Sequence, residues 1–70
     1  MIKEGQVYQL KENEKNRIVV KGSLTAGFWE VITRNRVLDC ISEYALKHYN
    51  LIAEYRTFEE AVSSPEFTEV

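Results

Sequence analysis

Arg17-Ile18-Val19-Val20-Lys21-Gly22-Ser23-Leu24-Thr25-Ala26-Gly27-Phe28-Trp29-Glu30-Val31-Ile32-Thr33 reads as two strands and the connection between them. The β-branched run Ile18-Val19-Val20 is a strand signal, because branched side chains pack well on a pleated surface and are hindered in a helix. Gly22 and Gly27 bracket the next segment, and glycine reaches positive φ without steric cost, so residues 22 to 27 are expected to connect the first strand to a second, Phe28 to Thr33. In that second strand Trp29, Val31 and Thr33 share one face, while Phe28, Glu30 and Ile32 share the other.

Upstream, Gln6 to Lys11 alternates, with Tyr8 and Leu10 on one face and Gln9 and Lys11 on the other, the period of a half-buried strand. Lys11-Glu12-Asn13-Glu14-Lys15-Asn16 is wholly polar and reads as a loop or hairpin turn. Downstream, Asn35 marks a tight turn because asparagine tolerates the left-handed region, and Val37 to Ile41 reads as a fourth strand. Ser42 can cap a helical turn running to His48, and Leu51 to Tyr55 returns to strand composition. Thr57 and Glu60 form a T-x-x-E capping box ahead of Phe58, Ala61 and Val62, which lie on one helical face. Pro65 either stops that helix or takes the first position of a further turn capped by Ser64.

These elements predict one small, mostly β domain over residues 1–70 with short helices. A five-stranded SH3-like barrel or strongly curled antiparallel sheet occupies residues 1–56, and a C-terminal helix occupies 57–67. An open α+β sheet with its helices on one face is the alternative. The expected core is Trp29 with Tyr8, Leu10, Ile18, Val20 and Val31, which leaves Phe28 on the outer face or beneath the terminal helix.

At 44% hydrophobic and 29% charged residues, the chain falls in the composition range of folded domains. Its lone cysteine, Cys40, makes no internal disulfide and has only His48 as a companion metal ligand, so neither staple is expected and a reduced, cytoplasmic home is. No signal-peptide pattern opens the chain, and apolar runs of about three residues fall far short of the ~20 that a membrane helix needs. A nucleophilic Cys40 with His48 as its base would need an oriented pair and an oxyanion site, and no sequence feature supplies them. Glu59 and Glu60 point to different helix faces, and no calcium loop, phosphate loop or paired-cysteine motif occurs. No enzyme, catalytic residue, metal or cofactor is therefore expected.

Charge is unevenly placed. Lys15, Arg17, Lys21, Arg34 and Arg36 against Glu30 give residues 15 to 36 a local +4, whereas Glu54, Glu59, Glu60, Glu66 and Glu69 against Arg56 give residues 54 to 70 a local −4. The second stretch can neutralise the first in space. The candidate interaction surface is Arg17, Lys21, Phe28, Arg34 and Arg36. Aromatics beside cations suit single-stranded nucleic acid, but a pI near 5.3 argues against a dedicated binder, so binding to a protein partner or to itself is the favoured expectation.

The segments Arg34–Ser42 (RNRVLDCIS) and Ala53–Phe67 (AEYRTFEEAVSSPEF), with RIVVKG before them, resemble small uncharacterised proteins encoded in phages and prophages of Gram-positive bacteria. The resemblance spans most of the chain and includes no motif of known chemistry. It implies a cytosolic accessory protein of unassigned role and carries over no site residue.

Overall fold

A computed structural model describes residues 1–69. The element order is β1 (Gln6–Leu10), β2 (Asn13–Thr25), β3 (Phe28–Thr33), β4 (Leu38–Ser42), a 3-10 turn (Ala45–His48), β5 (Tyr49–Glu54), α1 (Phe58–Val62) and α2 (Pro65–Thr68). The five strands form one antiparallel sheet in the order β4-β3-β2-β1-β5. Of the forms expected, this is the unclosed sheet, since β4 and β5 stand at opposite edges.

The sheet is nevertheless curled. Five strands spaced about 4.8 Å apart would hold the outer two roughly 19 Å from each other if flat. The link between those edges is six residues, four of them in a 3-10 turn that rises only about 2 Å per residue. Curling brings the edges within reach and places Leu46 of the turn against Tyr8, Ile18, Val20 and Val31 inside the curve.

Both sheet faces carry a core. Val19 pairs with Val7 and with Ile32, while Val20 pairs with Val31 and Ile18 with Tyr8, so alternation sends Val7, Val19 and Ile32 outward and Tyr8, Ile18, Val20 and Val31 inward. On the outer face, Ala61 and Val62 of α1 and Phe67 of α2 cover Val7 and Val19, with Ile32, Ile52, Ala53, Tyr55 and Phe58 around them. On the inner face, Trp29, Ile2, Ile41 and Tyr49 complete the cluster around Leu46. The inner core is the one the alternation of β1 and β3 points to. Trp29 is only half-buried in it, and Leu10, expected in the core, is half-buried outside the cluster and lines a cleft.

Four elements depart from the sequence expectation. β2 begins at Asn13, because the hairpin ladder continues past Arg17 to a Leu10–Asn13 pair and leaves Lys11 and Glu12 as the turn. Residues 13 to 16 are all exposed, so no apolar alternation announces them as strand. β2 also runs on through Gly22 to Thr25, with register shifts at Val20/Gly22 and Ser23/Thr25 that let the long strand bend. The connection to β3 is therefore only Ala26 and Gly27, with Gly27 at φ +79°.

In the β3–β4 turn the left-handed residue is Arg36 (φ +64°) and not Asn35. Arg36 N–H donates to the Thr33 carbonyl at 2.9 Å, and Thr33 N–H to the Val37 carbonyl at 2.9 Å. A three-residue hairpin loop of this kind requires its last residue to be left-handed. The C-terminal helix is two helices: Pro65 sits at the first position of α2, and the Ser64 hydroxyl donates back to the Ala61 carbonyl at 2.6 Å and does not cap. Thr57 caps α1 by accepting Glu60 N–H at 3.2 Å, and the Glu4 carboxylate accepts Phe58 N–H at 2.8 Å, adding a negative charge at the helix start.

Gly5 locks the end of the sheet. Its N–H donates to the Val20 carbonyl at 3.0 Å and its carbonyl accepts Tyr55 N–H at 2.9 Å, at φ +89°. A Cβ there would stand 2.3 Å from the Tyr55 carbonyl oxygen, whereas one at Gly27 would meet nothing within 4 Å. Gly5→Ala is expected to cost about 3 kcal/mol or more and to lower Tm by about 12 °C or more, while Gly27→Ala costs only about 1 kcal/mol. Thermal melts of the two variants, compared by circular dichroism, check the contrast.

Next to Gly5, buried Gln6 joins the termini of the sheet. Its amide nitrogen donates to the Met1 carbonyl and to Glu54 Oε2, both at 2.9 Å, and its Oε1 accepts Lys3 N–H at 3.0 Å and the Tyr8 hydroxyl at 2.8 Å. Burial, and then the nearby Glu54 carboxylate, raise the Tyr8 pKa above its usual value of 10. The unfolded chain then releases this proton first. Stability from this group is complete below about pH 10 and falls as pH rises from there through the raised folded value. Urea midpoints measured across the alkaline range should drop less steeply for Tyr8→Phe than for the unaltered chain.

Candidate interaction surface

Three of the five residues singled out by sequence lie on the outer face and hold the C-terminal helices. Arg17 stands opposite Gln9 on β1. Its Nε donates to Gln9 Oε1 at 3.0 Å and to the Glu14 carbonyl at 3.2 Å, and its Nη1 donates to the Glu66 carbonyl of α2. Lys21 Nζ lies 5.9 Å from the Phe58 ring centroid of α1, and the Arg36 guanidinium 5.8 Å from that of Phe67 in α2. The Tyr55 hydroxyl donates to the Glu66 carboxylate and secures the same helix from the other side. These contacts reach the helices through a backbone carbonyl and two aromatic rings, and the ion pair found among the described residues is Lys3 with Glu54 at 4.0 Å.

The remaining two are placed apart from this grouping. Phe28 is 43% exposed at the start of β3, on the outer face with Leu38 and Cys40 of the edge strand. Arg34 follows β3 in the turn, where its Nη1 makes a long 3.5 Å contact to the Lys15 carbonyl at the tip of the β1–β2 hairpin. Cys40 and His48 are not partners: Cys40 is exposed opposite Glu30 on the outer face, and His48 lines a cleft on the inner side.

That inner cleft is the feature sequence reasoning missed. It encloses about 320 Å³ at the open end of the curled sheet, where the end of β1, the edge strand β4 and the 3-10 turn meet. Leu10, Ile41, Ala45 and Tyr49 line it as half-buried side chains, and exposed Lys11, Glu12 and His48 form its polar rim. Two hydrogen bonds set its shape. The Ser42 hydroxyl accepts Ala45 N–H at 3.0 Å, starting the turn, and Lys11 N–H donates to the His48 carbonyl at 2.9 Å, tying the end of the turn to β1. Tyr44, 73% exposed with Lys47 Nζ 5.4 Å from its ring centroid, projects from the same connection. Half-burial of an inward-facing Ile41 on an edge strand is the only signal that the sequence carries for this cleft, and it needs the strand register to be read.

Among the described residues no group of three or more His, Cys, Asp or Glu side chains is placed to hold a metal ion, and no helix is long and apolar enough to cross a membrane. No family model, curated protein or solved structure matches the chain.

Because Arg17 bonds to three elements at once, its removal should release α2 more than it weakens the sheet. Arg17→Met, which keeps the aliphatic stem, is expected to lose about 1–2 kcal/mol. Amide hydrogen exchange should accelerate at residues 67 to 69 well before it does at Val19 or Val20.

Proposed function

We propose that the protein is a non-enzymatic binding module that takes an apolar side chain of a protein partner into the cleft between β1, β4 and the 3-10 turn. The observation that carries this reading is the cleft's composition. Its four half-buried lining residues are apolar and its three exposed ones are polar and of mixed charge, the arrangement of a recognition pocket with an apolar anchor and an orienting rim. Its volume reaches the lower end of the range of ligand sites, which suits a side chain better than a cofactor.

Tyr44 extends the surface beyond the cleft mouth. An exposed tyrosine on a short turn adds contact area at small entropic cost, which is why such residues recur at binding interfaces. The exposed thiol of Cys40 and the absence of any second cysteine fit a reduced, cytoplasmic setting. An accessory role of the kind implied by the phage and prophage resemblance fits a module that acts only by binding.

Selection of a random peptide library on the full chain tests the reading. Enriched peptides should share one large apolar residue and lose about tenfold or more in affinity for Ala45→Trp, which fills the cleft from its apolar lining. Binders that share no apolar anchor, or that bind Ala45→Trp unchanged while its melting curve is native-like, would overturn it.

A further inference from the structure

Ala45 lines the inner cleft, and the residue before it, Tyr44, stands exposed outside. We infer that the occupant of the cleft is the Tyr44 side chain of a second copy of this chain, exchanged reciprocally about a two-fold axis. This rests on the cleft being the binding site proposed above and names what fills it.

The closeness of ring and cleft favours a second copy over other partners. Across a two-fold, the contact of one residue with another is repeated in reverse, so a surface that carries a protruding ring beside a receptive cleft is complementary to itself. Within its own copy Tyr44 is held outside the cleft by the turn. Its backbone is helical (φ −63°, ψ −44°), its carbonyl accepts Lys47 N–H at 3.2 Å, and Lys47 Nζ lies 5.4 Å from its ring centroid. A side chain fixed in this way loses little freedom on insertion. The chemistry of the two parts also agrees: the ring meets Leu10, Ile41, Ala45 and Tyr49, and the hydroxyl can stay at the polar rim.

Charge supplies the register. The rim carries Lys11 and Glu12, the ring is flanked by Glu43 and Lys47, and all four are exposed. Among the described residues none of the four forms an ion pair within the chain. Setting the copy's Glu43 at Lys11 and its Lys47 at Glu12 gives each charge an opposite partner, and such pairing fixes orientation more than it adds affinity.

Area sets the strength. Each buried aromatic removes about 150–250 Å² from water, so two rings and the walls that meet them bury roughly 600–1,000 Å² in all, the size of a transient interface and not of a permanent dimer. Self-association is therefore reversible and micromolar or weaker.

The labelled full chain is diluted from about 1 mM to about 10 µM, across that range, with amide shifts followed by NMR. Concentration-dependent shifts are expected at residues 10 to 12 and 41 to 49 and should vanish in Tyr44→Ala, a change outside both cores. Labelled Tyr44→Ala should then shift at residues 10 to 12, 41 and 48 to 49 when unlabelled unaltered chain is added, because that chain supplies the missing ring. Unlabelled Tyr44→Ala should leave those amides in place. Glu43→Lys should weaken association about tenfold, and adding Lys11→Glu should recover it. Dilution shifts that persist in Tyr44→Ala, or a charge reversal that is not rescued, would overturn the inference. A chain that stays monomeric while library peptides occupy its cleft would overturn the self-association and leave the proposed function standing. If neither peptides nor a second copy move the cleft amides, both fall.

Discussion

Ile18, Val19 and Val20 are consecutive and all buried, and the molecule is arranged around that fact. In a strand, neighbouring side chains point to opposite faces, so a buried run of three demands cover on both sides of the sheet. A chain of 70 residues has little with which to provide it. The inner face is covered by curling the sheet onto Leu46, and the outer face by two helices that are too short to persist alone. Each cover depends on the other, because β2 forms the floor of both cores.

The outer cover also engages three of the basic residues. Arg17, Lys21 and Arg36 reach α1 and α2 from the strand and turn beneath, through the Glu66 backbone carbonyl and the Phe58 and Phe67 rings. An arginine that donates to a helix carbonyl, and a second stacked on the ring that plugs the core, act chiefly as fasteners. Lys15 and Arg34 lie instead at the tips of the two hairpins.

The open edge has its own chemistry. Where a closed barrel would pair β4 with β5, this sheet interposes the 3-10 turn, and the gap left beside Ile41 and Leu10 becomes a cleft. The exposed edge of β4 is itself guarded, as the Asp39 carboxylate accepts the Cys40 N–H at 2.8 Å and so blocks a donor that another strand would use.

Local sequence by itself determined the strand count, the inner core and the start of α1. Alternation at Tyr8, Ile18 to Val20 and Val31 has a single physical meaning, and the Thr57–Glu60 cap is made within one turn of chain. The sequence did not reveal where hairpins tighten, because residues 13 to 16 and 22 to 25 become strand only through hydrogen bonds to a partner, with no apolar period to mark them. Only tertiary structure decided that Gly5 must be glycine, since the clash is with the Tyr55 carbonyl 50 residues away, and that Arg17, Lys21 and Arg36 fasten the C-terminal helices. It likewise decided the inner cleft, a space between segments that share no local pattern and meet only when the sheet curls.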